Sequence, residues 1–217
     1  MQFMNILFIG NSYTYYNDLP LIFSGIANDN GKNVKVASVT FGGAMLHQFV
    51  DEENEYAKQL DVLIQKNKFD ICILQEQSIL PIVNYELFEI GVKKLVEKLR
   101  PTVKRFVLYA TWGRKEGSET LTQFGWTTES MAKLLAEAYT KAGETVGANV
   151  AYVGYDFLKI DAEEIDLYNP DLTHPSYKGS CLAGLRLYKT IFDAYPGNTK
   201  SLALCENEIL KFERVLA

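Results

Sequence analysis

The sequence predicts an α/β fold, a parallel sheet of about five strands with helices on both faces. Three observations carry this. Apolar runs alternate with longer stretches of helical spacing along all 217 residues. Met4–Ile9 is a continuous apolar run and Asp70–Leu74 nearly one, as in strands covered on both faces. No linker, low-complexity stretch or internal repeat interrupts the pattern, so residues 1–217 are expected to form a single domain with room for a sizeable core.

Met4–Ile9 (MNILFI) is the first predicted strand, and Leu19–Asn28 is the helix that follows it. Val34–Val39 is the second strand, Tyr56–Gln65 the next helix, and Asp70–Leu74 (DICIL) a third, buried strand. Tyr85–Leu99 has helical spacing and is stopped by Pro101, which cannot continue a helix. Arg105–Tyr109 (RFVLY) is the fourth strand, Glu129–Gly143 a helix that breaks at Gly143, and Asn149–Val153 a short fifth strand. Pro175–Ala194 is expected to be a helix with proline in its first turn, a favoured position, and Ser201–Val215 a last helix. Right-handed crossovers point the carboxyl ends of all strands to one rim, where ligand sites of open parallel sheets lie. Two loops of that rim, 111–126 and 161–174, are longer than usual, a trait of functional loops.

Hydrophobic residues are 47% and charged residues 23%, which suits a soluble chain, and the net charge of −5 argues against a nucleic-acid or anionic-membrane surface. The basic residues Lys93, Lys94, Lys98, Arg100, Lys104 and Arg105 are diluted by Glu97 and read as a solvated helix face. Cys72, Cys181 and Cys205 have no paired spacing and give no disulfide framework; Cys72, inside an apolar run, reads as a small core hydrophobe. No stretch is long enough to span a bilayer. No signal peptide is visible, so the expectation is a cytoplasmic protein, or a secreted or periplasmic one whose signal has been removed.

Four segments follow predicted strands and so share the rim. Ser12 comes after the first, Thr40-Phe41-Gly42-Gly43 after the second, Gln75-Glu76-Gln77-Ser78 after the third, and a loop ending in Asp171 and His174 after the fifth. Taken alone, Ser12 reads first as the cap of a helix or turn. A serine hydroxyl becomes a nucleophile only beside a base, and His174 can be that base, with Asp171 three residues earlier to hold its other ring nitrogen. The competing reading has Asp171 capping the helix that Pro175 begins. Gly42 and Gly43 allow close backbone approach, so an amide there, with that of Ser12, can donate to an oxyanion. Gln75 or Gln77 can supply a third, side-chain donor; alternation points one towards the rim and one away, and sequence does not say which. Glu76 could be a second acid but reads first as an exposed loop carboxylate. His47 reads as a surface or helix-start residue that could also line the pocket, with no metal set around it.

These segments resemble the sequence blocks of the SGNH (GDSL-like) hydrolase superfamily, which supply a serine, a glycine, an asparagine and a histidine. Gly10-Asn11-Ser12 resembles the first block, with Asn11 where aspartate is usual, and Gly42 or Gly43 resembles the second. Gln75-Glu76-Gln77-Ser78 lies where Gly-x-Asn-Asp is usual, so glutamine replaces asparagine, Gln77 being the positional match and Gln75 the competitor. Asp171-Leu172-Thr173-His174-Pro175 resembles the Asp-x-x-His block, and Gly179 follows as in many members. The wording is closest to a bacterial subgroup with a Gly-Asn-Ser start and a Leu-Gln-Glu-Gln-Ser third block. The resemblance runs through the chain in order and implies a three-layer α/β/α sandwich, ester hydrolysis, and neither metal nor organic cofactor.

The expectation is therefore a serine esterase that removes a small acyl group, acetyl first, from a carbohydrate or similar polar ester through an acyl-enzyme. Its partner is that small-molecule or carbohydrate ester, not nucleic acid or membrane. Rim aromatics (Tyr13, Tyr15, Tyr16, Phe41, Trp112, Trp126) could stack on a sugar face. The alternative is a non-catalytic binder: a flavodoxin-like protein holding a phosphate with Ser12 and Thr14, or a degenerate SGNH fold without turnover.

Overall fold

The computed structural model describes residues 3–160 and 164–217. One parallel sheet is built from β1 (Met4–Gly10), β2 (Val34–Thr40), β3 (Phe69–Leu74), β4 (Val103–Ala110) and β5 (Asn149–Tyr152), in the order β2-β1-β3-β4-β5. Ile6 pairs with Val36 on one side and Ile71 on the other, and Leu74 with Leu108. The order is the flavodoxin-like one. The connection leaving β1 and the one leaving β3 run to opposite sides, so a crevice opens between them at the carboxyl edge.

The unbroken apolar runs follow from burial on two faces. Ile6, Phe8, Ile71, Ile73, Val107 and Tyr109 point to the side covered by the helices Leu19–Asp29 and Tyr177–Phe192. Leu7, Ile9, Cys72, Leu74, Phe106 and Leu108 point to the side covered by Tyr85–Leu99 and Thr128–Val146. Odd and even positions of each strand thus feed different cores, giving three layers. Truncating a ring such as Phe8 or Phe88, both fully buried, to alanine is expected to cost about 3–5 kcal/mol. Cys72 is part of this core, and burial pushes its thiol well above the usual range.

Three expectations about helices need correction. The fourth-strand crossover helix does not break at Gly143; it runs to Val146 and ends on a left-handed Gly147. Gly143 is there because a Cβ would come within 2.8 Å of Val150, so it lets the helix lie close to β5. The helix after His174 starts at Tyr177, capped by Ser176, whose Oγ accepts the Gly179 N–H at 3.2 Å, so Pro175 precedes the helix and Asp171 does not cap it. The last helix is shorter than expected, Glu206–Leu216. A buried Asp156, in the short helix Val153–Phe157, is held by both forks of Arg186 at 2.5 Å and ties the end of β5 to the helix Tyr177–Phe192. Among the described residues no helix is long and apolar enough to cross a membrane.

Candidate active site

The first part of the site is built where β1 ends. Asn11 is extended (φ −131°, ψ −151°) and caps a short helix, Ser12–Tyr15; its Oδ1 accepts the Tyr13 N–H at 3.1 Å and its Nδ2 donates to the Ala44 carbonyl at 3.0 Å. Ser12 is therefore the first residue of the helix, where a backbone N–H has no intrahelical acceptor, and this N–H donates to no other described residue. Gly10 must be glycine, since a Cβ would lie 2.5 Å from Thr14 Oγ1 and 2.7 Å from Gln75 Oε1.

The second part arrives from the far end of the chain. Tyr168 and Pro175 form an antiparallel bridge that closes a small loop; within it the Asn169 N–H donates to the His174 carbonyl at 2.8 Å, and Leu172 takes a left-handed φ of 61°. That conformation is costly for leucine, about 1–2 kcal/mol, and it turns the chain so that Asp171 meets His174. Asp171 Oδ2 stands 2.6 Å from His174 Nδ1, while Oδ1 accepts the N–H groups of Thr173 and His174, both at 2.9 Å. Partial burial works to raise the Asp171 pKa, but the His174 ring and the two backbone donors outweigh it and hold the carboxyl below its ordinary value. His174 Nε2 then lies 2.8 Å from Ser12 Oγ.

Neighbouring groups fix this register. The Tyr16 ring stacks on His174 with centroids 4.2 Å apart, and the Trp112 indole N–H donates to the Thr173 carbonyl at 3.1 Å. Asn17, left-handed at φ 54°, donates to the Pro175 carbonyl at 3.0 Å and to Ser180 Oγ at 2.9 Å, which joins the first loop to the helix Tyr177–Phe192.

Of the paired glycines, Gly43 lines the cleft beside Ser12, with φ +67° and an N–H that donates to no other described residue. Gly42 stands back from the cleft, against the Tyr15 hydroxyl. The two glutamines separate. Gln75 is fully buried and does not reach the cleft; its Oε1 accepts the Asn11 N–H at 3.0 Å and the Thr14 hydroxyl at 2.8 Å, and its Nε2 donates to the Glu76 carbonyl. It is a brace under the serine loop, not an oxyanion donor. Gln77 does line the cleft. Its Oε1 accepts the N–H groups of Ile79 and Leu80 at 2.9 and 3.0 Å, which leaves Nε2 as the end without a partner among the described residues.

Glu76 is not exposed as expected. It is fully buried, and burial pushes its pKa up to about 8, although the N–H groups of Gln77 and Leu46 donate to its carboxyl and pull the other way. It ties the second and third loops together beneath the site. His47 sits in a short 3-10 turn, Leu46–Phe49, away from the cleft. Among the described residues no group of three or more His, Cys, Asp and Glu side chains is placed to hold a metal ion. Several rim aromatics are structural: Tyr13 and Trp112 are buried and stacked on each other at 4.9 Å, Phe41 stacks on Tyr56, and Trp126 on Phe124.

The cleft over Ser12 is small, ≈ 240 Å³. Arg114 and Ser78 line it as well, and the sequence reading did not single them out as site residues. Ser78 is the last residue of the third block, and Arg114 lies in the long loop after β4, so rim position was the available signal. The first three positions of the expected loop 161–174 lie outside the described residues.

A comparison with protein-family models gives no match, and neither does one with curated proteins. Solved structures do match. A candidate SGNH hydrolase from Slackia heliotrinireducens is 28% identical, with a TM-score of 0.78 over 88% of this chain and 100% of its own. A DUF4886 family protein from Bacteroides uniformis has a TM-score of 0.78 at 14% identity, over 99% of this chain and 93% of its own. The acetylxylan esterase Axe2 from Geobacillus stearothermophilus has a TM-score of 0.59 at 14% identity, over 88% of this chain and 93% of its own. The last two show the fold alone; the first, with the sheet order and layers described above, supports an SGNH (GDSL-like) hydrolase superfamily fold for this chain.

Proposed function

We propose that the protein is a serine esterase that removes a small acyl group, acetyl first, from a carbohydrate or similar polar ester. The observation that carries the reading is the 2.8 Å separation of Ser12 Oγ and His174 Nε2, continued by the 2.6 Å contact of His174 Nδ1 with Asp171. Ser12 Oγ attacks the ester carbonyl while His174 Nε2 takes its proton. Asp171 keeps the proton on Nδ1, so that Nε2 is the free base, and offsets the charge that then develops on the ring. The oxyanion is met by the N–H groups of Ser12 and Gly43 and by Gln77 Nε2. Loss of one such donor typically costs about 10²–10³ in rate. His174 returns the proton to the leaving alcohol; it then takes a proton from water, which attacks the acyl-enzyme, and Ser12 is released.

The cleft volume of ≈ 240 Å³ lies below the range of about 300–1,000 Å³ usual for larger ligands, which favours a short acyl group. The likeness of the fold to an acetylxylan esterase points the same way for the substrate. Tyr15, 40% exposed next to the site, remains as an aromatic that can meet a sugar face. The test is hydrolysis of 4-nitrophenyl acetate and of acetylated xylose and glucose by the wild-type chain and by Ser12→Ala. The variant is expected to lose up to about 10⁶ in kcat. Undiminished turnover by Ser12→Ala, or none by the wild type on any acetyl ester, would end the proposal.

A further inference from the structure

We propose that Arg114 selects the substrate: the cleft takes esters that carry an anionic group, a carboxylate or its like, close to the scissile bond. This deepens the esterase reading and rests on it. Arg114 lines the same cleft as Ser12 and His174, and no carboxylate lies among the residues that line it. Its backbone is pinned, the N–H donating to Met131 Sδ at 3.4 Å and the carbonyl accepting from Thr128 Oγ1 at 2.6 Å. The side chain is not neutralised. Its Nη2 donates to Ser78 Oγ at 3.2 Å, its Nε is buried with no acceptor, and no Asp or Glu among the described residues is in ion-pair reach. The adjacent Lys115, by contrast, is paired with Asp166 at 2.6 Å.

A second donor points to the same wall. The Tyr13 hydroxyl is buried against Ser78 and Arg114, both close enough to act on it as hydrogen-bonding neighbours. A buried donor left without an acceptor, as Arg114 Nε is, is destabilising, so a protein keeps it where something else satisfies it. A guanidinium fork with a hydroxyl alongside suits a planar carboxylate, which accepts from two donors at once. The net charge of −5 does not oppose this at contact distance, since charges farther than about 8 Å away are largely screened at physiological salt. The anionic group can sit on the acyl side of the ester or on the alcohol side, and the two arms of the experiment separate these.

On the acyl side, kcat/KM is measured for 4-nitrophenyl hydrogen succinate against its neutral methyl ester. On the alcohol side, it is measured for O-acetylglycolate against methyl O-acetylglycolate. Wild type is expected to prefer the anion about 10- to 100-fold in one arm, and Arg114→Gln to bring that ratio towards one. A merely structural role would lower both members of a pair alike and leave the ratio unchanged. Binding is measured separately by calorimetry on Ser12→Ala, with monomethyl succinate and O-acetylglycolate against their dimethyl and methyl esters, and again after adding Arg114→Gln. This reads the anion site whether or not the wild type turns over any ester. Anion binding that disappears with Arg114→Gln supports the proposal. Ratios at or below one in both arms together with no tighter anion binding, or a preference that survives Arg114→Gln, overturn it.

Discussion

Replacing Asp171 by asparagine isolates its role from its contribution to the fold. The asparagine Oδ1 can still accept the Thr173 and His174 N–H groups that now lie 2.9 Å from the carboxylate, so the turn is retained. Its amide N–H₂, however, would replace Oδ2, 2.6 Å from His174 Nδ1. Two donors cannot face each other, so the ring takes the other tautomer, with Nδ1 as acceptor and the proton on Nε2. That proton then points at Ser12 Oγ, 2.8 Å away, and the base is gone. The expected loss in kcat is about 10⁴-fold, or about 5 kcal/mol of transition-state stabilisation. The assay is initial-rate hydrolysis of 4-nitrophenyl acetate at neutral pH, with urea unfolding of both proteins as control. A loss of less than tenfold in a stably folded Asp171→Asn chain would refute the reasoning.

Two further outcomes follow from the groups beneath the site. Gln75→Leu leaves the Asn11 N–H and the Thr14 hydroxyl without an acceptor, which should destabilise the fold by about 2–5 kcal/mol in urea unfolding; a change below about 1 kcal/mol would mean that the brace is not structural. Glu76 has a folded pKa raised to about 8 against an ordinary 4.5, so between those values the folded state holds the extra proton. Its contribution to stability is full below pH about 4.5 and declines as pH rises through about 8, by an amount on the order of a few kcal/mol. Glu76→Gln should flatten that decline in unfolding curves between pH 5 and 8, and an unchanged slope would count against it.

The architecture was legible because the parallel sheet writes its burial plainly: runs such as MNILFI and DICIL have no polar face to show. The rim position of Ser12, Asp171 and His174 followed from which loops leave carboxyl ends of strands. What was not legible depended on pairings across distance. Gln75 and Gln77 are two residues apart and chemically identical; Gln77 is held locally by Ile79 and Leu80, but Gln75 is held by Asn11 and Thr14 from the segment after β1, partners that no local pattern reveals. Glu76 reads as a loop carboxylate until its contact with the Leu46 N–H, thirty positions away, is seen. Gly143 reads as a helix breaker because sequence shows its propensity and not the strand it must approach. Arg114 carries no motif; its interest lies in what is missing around its side chain.

The central claim is that the Ser12 hydroxyl is the group His174 activates, and covalent trapping tests it most directly. The wild-type chain is treated with diethyl 4-nitrophenyl phosphate, which transfers its phosphoryl group to an activated serine and releases 4-nitrophenolate, and the product is mapped by mass spectrometry. A single diethylphosphoryl group on Ser12, absent from Ser12→Ala and strongly slowed in His174→Ala, is the predicted result. Modification of another residue, or ester hydrolysis that persists with Ser12 unlabelled, would contradict it.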